Sequence, residues 1–161
     1  MSTLTLPDVG TQAPDFSALN QKGETVTLAD YAGKVLVLYF YPKAMTPGCT
    51  TQACGLRDSK EELAQYNAVA VGVSPDKPAR LQKFIDRDNL NFDLLSDEET
   101  TMCQAYGIWG LKKFMGKEYM GVNRITFIIG EDGSILHVMP KVKTKTHHDD
   151  VIAFLAERAK G

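Results

Sequence analysis

Seven consecutive apolar residues, Val-Leu-Val-Leu-Tyr-Phe-Tyr at 35–41, run into Pro42, and a second proline follows at Pro47. A run rich in β-branched and aromatic side chains reads as a buried strand. Pro42 ends its ladder pairing, because proline has no N–H to donate. Thr46-Pro47 then has the form of a helix start, a hydroxyl N-cap followed by proline at the first helical position. Strand, short turn and helix in this order point to an α/β architecture. Cys49 falls in the first helical turn, where free backbone N–H groups and the helix dipole favour an anion. A thiol placed there is expected to ionise readily and to act as a nucleophilic thiolate near neutral pH.

The rest of the chain alternates strand and helix signals. Residues 15–19 and 24–28 are short alternating segments around Asn20-Gln-Lys-Gly23 and predict an N-terminal β-hairpin. A brief helical turn at 29–33 closes on glycine. The helix opened by Pro47 is expected to reach about residue 66, and residues 68–74 form a second apolar strand. Pro75-Asp76 restarts the chain as a helix through about Arg87, with Leu81, Phe84 and Ile85 at helical spacing. A short strand at 92–95 precedes Ser96-Asp-Glu-Glu99, a capping-box pattern that predicts a helix ending at Gly107. Residues 109–121, with Gly110, Gly116, Gly121 and lysines at 112, 113 and 117, show neither periodicity and read as a loop. Strands at 124–129 and 134–139 flank Gly130-Glu-Asp-Gly133, a hairpin signal. A polar connection at 141–146 leads to an amphipathic helix over 149–159. The sum is an α/β sandwich with a mixed sheet.

At 161 residues the chain is expected to form one domain spanning 1–161. A net charge of −2 offers no basic patch that would suggest nucleic acid as a partner. No apolar run approaches the length of a membrane span, and no basic-then-apolar leader opens the sequence, so no membrane partner and a cytoplasmic location are expected. An odd cysteine count, three, does not suggest a secreted disulfide framework and suits reversible redox chemistry in a reducing compartment.

The spacing of Pro42, Thr46 and Cys49, with Cys54 five residues further, resembles the peroxiredoxins. The run FYPKAMTPGCTTQACGLRD is similar to the signature of the peroxiredoxin Q, or bacterioferritin comigratory protein, group, and the likeness extends from Ala13-Pro14-Asp15-Phe16 to the C-terminal helix. The resemblance implies a thioredoxin-like fold, with a mixed central sheet flanked by helices and the N-terminal hairpin added. It implies a thiol peroxidase with Cys49 as the peroxidatic residue, its thiolate attacking a peroxide oxygen and becoming sulfenic acid. On the same resemblance Thr46 bonds the thiolate or the peroxide oxygen. Pro42 shields the sulfur from bulk water. Gly121-Val-Asn-Arg124-Ile-Thr-Phe matches the segment that brings an arginine against the cysteine, where it stabilises the sulfur anion and donates to the polarised peroxide oxygen. Many members of the group have glutamate where this chain has Gln52, so the local charge pattern differs here.

Cys54 is the resolving cysteine by the same likeness. On an intact helix five residues advance about 7.5 Å and turn about 140°, leaving the two Cα atoms roughly 8–9 Å apart. A disulfide does not span that distance, so the first turns of the helix must unwind before Cys49 and Cys54 can bond. Cys103 reads as a partly buried helix residue and is the alternative resolving thiol. His147-His148 has no third ligand nearby in sequence and reads as a pair of surface residues at a helix start. Neither metal nor another cofactor is expected. The partners implied are a hydroperoxide and thioredoxin or a glutaredoxin-like donor, and an intramolecular disulfide makes a monomer the expected state. A dithiol–disulfide oxidoreductase is the first competing function, although its usual spacing is C-x-x-C. A redox-sensing or metal-holding module is the second.

Overall fold

The computed structural model describes residues 6–160; residues 1–5 and 161 of the expected single domain lie outside the described residues. Numbered in chain order, the strands are β1 (Ser17–Asn20), β2 (Thr25–Thr27), β3 (Val35–Phe40), β4 (Ala68–Ser74), β5 (Leu94–Ser96), β6 (Trp109–Phe114), β7 (Lys117–Val122), β8 (Thr126–Ile129) and β9 (Ile135–Met139). The helices are α1 (Pro47–Asp58), α2 (Lys60–Gln65), α3 (Pro78–Asp88), α4 (Thr101–Ala105) and α5 (His147–Lys160).

The apolar run becomes β3, buried along its whole length. It lies inside a sheet of order β2-β1-β5-β4-β3-β8-β9. The β3–β4 and β4–β5 pairs are parallel and the remaining pairs antiparallel, so the sheet is mixed. Successive side chains of a strand point to opposite faces, and β3 therefore feeds two separate cores. Leu36, Leu38 and Phe40 pack with Val71, Val73, Phe127, Met102 and Tyr106. Val35, Val37, Tyr39 and Tyr41 pack on the other face with Cys49, Leu56, Leu81, Phe84 and Leu155, drawn from α1, α3 and α5. This is the thioredoxin-like arrangement of a mixed sheet flanked by helices. The N-terminal hairpin β1–β2 pairs antiparallel as expected, and the Asn20 side chain accepts from the N–H groups of Lys22 and Glu24 across the turn.

Four expectations are corrected. The helix predicted over 47–66 breaks at Ser59, whose N–H is shared between the carbonyls of Gly55 and Leu56 at 3.1 and 3.2 Å, the bond pattern of a tightened terminal turn. The second helix starts at Pro78, not Pro75, because Asp76 is engaged elsewhere: its carboxylate accepts from the Ala44 N–H (2.7 Å) and the Ser74 hydroxyl (2.8 Å). Ser96 is no cap. It ends β5 and donates to the Asp76 carbonyl, while Asp97 accepts from the N–H groups of Met102 and Cys103 at the start of α4.

The segment read as a loop over 109–121 is an antiparallel hairpin, β6 with β7, in register from Trp109↔Val122 to Phe114↔Lys117. Its two-residue turn, Met115-Gly116, has positive φ at both positions, 52° and 78°, the primed turn that matches strand twist. Leu111, Tyr119 and Met120 remain exposed on it. With little of the ribbon covered, no inside-outside alternation was written into the sequence.

Candidate active site

Position begins with β3. After Tyr41 has bonded the Val73 carbonyl (3.0 Å), Pro42 leaves the sheet half-buried. The turn beyond it is held from α3: Arg80 donates to the Ala44 carbonyl (2.9 Å) and is paired with Asp76 (3.2 Å). Met45 takes a left-handed φ of 66°, which turns the chain so that α1 starts against the sheet. Thr46 stands at the N-cap position with extended backbone, but its hydroxyl makes no cap. It donates instead to the Lys43 carbonyl at 3.0 Å. No side chain therefore caps the first turn of α1, in which Cys49 sits, and its N–H groups remain a favourable environment for an anion.

Cys49 is 1 % exposed. Arg124, between β7 and β8, donates from Nη2 to Cys49 Sγ at 3.3 Å and from Nη1 to Gln52 Oε1 at 2.7 Å. Strand β8 supplies the aim, since it pairs with β3 through Tyr39↔Thr126 and so enters the sheet beside the end of the strand that leads to Cys49. Behind Arg124 the polar contacts continue. Gln52 Nε2 lies 3.3 Å from His147 Nδ1, and His147 Nε2 lies 2.8 Å from Thr126 Oγ1. Gln52, His147 and Thr126 are each fully buried.

The chemistry of the groups fixes the direction of these bonds. Arginine only donates, so Gln52 turns its oxygen to Arg124 and its amide nitrogen to His147. Nδ1 of His147 must then accept, and the proton of a neutral imidazole sits on Nε2, which donates to Thr126. Burial first, then His148 and Arg124 nearby, push His147 down to about 4, consistent with a neutral ring. The reading of His147-His148 as surface residues is thus wrong for His147. Helix α5 begins two residues earlier than expected, and its first residue inserts beside α1 and β8. The signal was present: His147, Val151 and Leu155 form the buried i, i+4, i+8 stripe of that helix. Gln52 was similarly legible, three residues from Cys49 and four before Leu56 on the buried side of α1.

His148 packs on α1 as well. A Cβ at Gly55 would overlap its imidazole ring, so glycine is what admits α5 to this distance. Lys112 of β6 lies near the same centre, donating to the Val122 carbonyl at 3.0 Å, and burial with the Arg124 cation pushes its ammonium down.

All three cysteines are free thiols. Cys54 is half-buried on the continuous helix α1, five residues from Cys49, so helix geometry holds the two sulfurs apart. Cys103 is fully buried in the core on the opposite face of the sheet from Cys49. Burial and the Asp97 carboxylate push its thiol up, and the sheet stands between it and Cys49. Among the described residues no three histidine, cysteine or carboxylate side chains cluster as a metal site, and no helix is long and apolar enough to cross a membrane.

A thioredoxin-like sheet that delivers a helix-start cysteine to an arginine defines a thiol-based redox enzyme. The chain belongs to the AhpC/TSA family, whose model matches residues 9–138, and its relatives place it among the peroxiredoxins, with peroxidase activity. It is 51 % identical to peroxiredoxin Bcp of Escherichia coli over 150 residues, 93 % of this chain and 96 % of that one. It is 48 % identical to peroxiredoxin Bcp of Bacillus subtilis over the same length and shares. Among solved structures, the bacterioferritin comigratory protein of Xanthomonas campestris, described for its alkyl peroxide reduction activity, superposes with a TM-score of 0.87 at 32 % identity, covering 94 % of this chain and 99 % of that one.

Proposed function

We propose that Cys49 is the residue that attacks the substrate, that Cys54 resolves it, and that hydrogen peroxide and alkyl hydroperoxides are the substrates. The observation that carries this reading is the 3.3 Å contact of Arg124 Nη2 with Cys49 Sγ in an uncapped first helical turn. The Cys49 thiolate attacks one oxygen of the peroxide; the O–O bond breaks, and the departing oxygen takes a proton and leaves as water or an alcohol. Cys49 is left as the sulfenic acid. Arg124 stays beside the sulfur and donates to the oxygen on which charge develops. Thr46 exchanges its bond to the Lys43 carbonyl for one to the peroxide, and Pro42 limits water around the sulfur.

The first turns of α1 then unwind, the Cys54 thiolate attacks the Cys49 sulfur, and the sulfenate oxygen leaves as water. A dithiol donor, thioredoxin or a glutaredoxin-like protein, supplies the two electrons that reopen the disulfide. An intramolecular disulfide needs no second subunit, so the protein works as a monomer, in the cytoplasm. No cofactor takes part.

The test is peroxide consumption coupled to NADPH through thioredoxin and its reductase. Cys49→Ser should abolish turnover. Cys54→Ser should stop after one equivalent with a trappable sulfenate. Normal turnover by Cys54→Ser, or wild-type protein inert to peroxide with every dithiol donor, would overturn this reading.

A further inference from the structure

We infer that His147 and Thr126 are positioning residues for Arg124, acting through Gln52; the inference rests on the peroxidase reading of Cys49. The contacts close a circuit. Arg124 donates to Gln52, Gln52 to His147, and His147 to Thr126, and Thr126 lies two residues along the backbone from Arg124 itself. Three elements contribute, α1, α5 and β8, and each of the three intermediate side chains is fully buried. Three buried polar groups from separate elements are costly to desolvate, and a contiguous apolar core surrounds them. What the circuit provides is a single allowed orientation at every member. Because Arg124 can only donate, the Gln52 amide, the His147 tautomer and the role of the Thr126 oxygen all follow from it.

Apart from Arg124 itself, the circuit is also neutral. Arg124 forms no ion pair with a carboxylate among the described residues. Its second guanidinium nitrogen is anchored by an amide oxygen, so the formal charge is held in place without being cancelled, and Nη2 presents it to Cys49. A carboxylate at position 52 would hold the guanidinium equally well but oppose the sulfur anion. The imidazole of His147 suits this purpose because it offers one acceptor and one donor on opposite sides of a rigid ring, and it is braced by Tyr39 at 5.9 Å between ring centroids.

The test is the second-order rate of sulfenate formation at Cys49 with hydrogen peroxide, by stopped flow, in a double-mutant cycle. His147→Phe keeps the ring and removes both bonds. His147→Gln restores one acceptor and one donor. Arg124→Met removes the group on which the circuit acts. His147→Phe should slow the reaction by about 100-fold, the cost typical of an ångström-scale misplacement. His147→Gln should recover most of the rate. In the Arg124→Met background His147→Phe should cause no further slowing. An unchanged rate in folded His147→Phe, or equal slowing with and without Arg124, would overturn the inference. If His147→Phe does not fold, Thr126→Val enters the same cycle with the same expectations. Failure of the wild type to react with peroxide would overturn the peroxidase reading instead.

Discussion

Acid should weaken this fold through one histidine, and the size of the effect follows from its burial. His147 is neutral in the native state, pushed from 6.5 down to about 4. The unfolded chain takes up a proton at this residue as pH falls through 6.5, whereas the folded chain resists until about 4. Stability from this group is therefore complete above 6.5 and is lost between 6.5 and 4. The full difference is about 3 kcal/mol, of which about 2 kcal/mol is lost by pH 5. With a urea slope of about 2 kcal/mol/M for a chain of this size, that is a midpoint lower by about 1 M. The assay is urea unfolding of the reduced protein at pH 7.5 and pH 5, beside His147→Gln, which cannot titrate. His137, also pushed down by burial, loses stability in the same direction in both proteins and drops out of the comparison. The wild-type midpoint should fall about 1 M further than that of the variant. Parallel pH dependence in the two proteins would refute a neutral, buried imidazole at this position.

Three further outcomes follow from the packing. Gly55→Ala should destabilise by about 1–3 kcal/mol through overlap with the His148 ring, and thermal melts should show that loss largely relieved by adding His148→Ala. Cys103→Ala should keep peroxide turnover while lowering stability by about 1–2 kcal/mol for the vacated core volume, measured by coupled assay and denaturant titration. Oxidation with one equivalent of peroxide should raise amide exchange in α1 far above that of β3 and β4, read by mass spectrometry of the oxidised and reduced forms; equal protection of α1 in both would contradict the unwinding step.

The parts of this molecule legible in its sequence are those where local chemistry and burial agree. Residues 68–74 are apolar and β-branched because both faces of β4 are covered, and the predicted bounds match the strand. Pro47 marked the start of α1 because proline at a first helical position loses no hydrogen bond. The failures are places where a competing side chain, missing burial or a distant partner decides. Ser96 and Glu99 have the spacing of a capping box, but Asp97 reaches the free N–H groups first. The β6–β7 hairpin carries apolar residues that no core demands. At the site, Cys49, Arg124 and the helix start could be named from motif and resemblance. Of the inner half, Gln52 and His147 lie on the buried stripes of their helices, but their meeting with Thr126 could not be read, because the partners are separated by up to 95 positions and meet only when α5 docks on α1.

The sheet has a consequence for the oxidation inventory of the molecule. Three thiols allow three pairings in principle. With Cys103 sealed in the core across β3 from Cys49, only the pairing of Cys49 with Cys54 is reachable without dismantling the sheet. On the proposed mechanism a chain with an odd number of cysteines then behaves as a store for a single pair of electrons, emptied by one peroxide and refilled by one dithiol. Scrambled isomers have no route to form, and material left in air should collect as one oxidised species instead of a mixture.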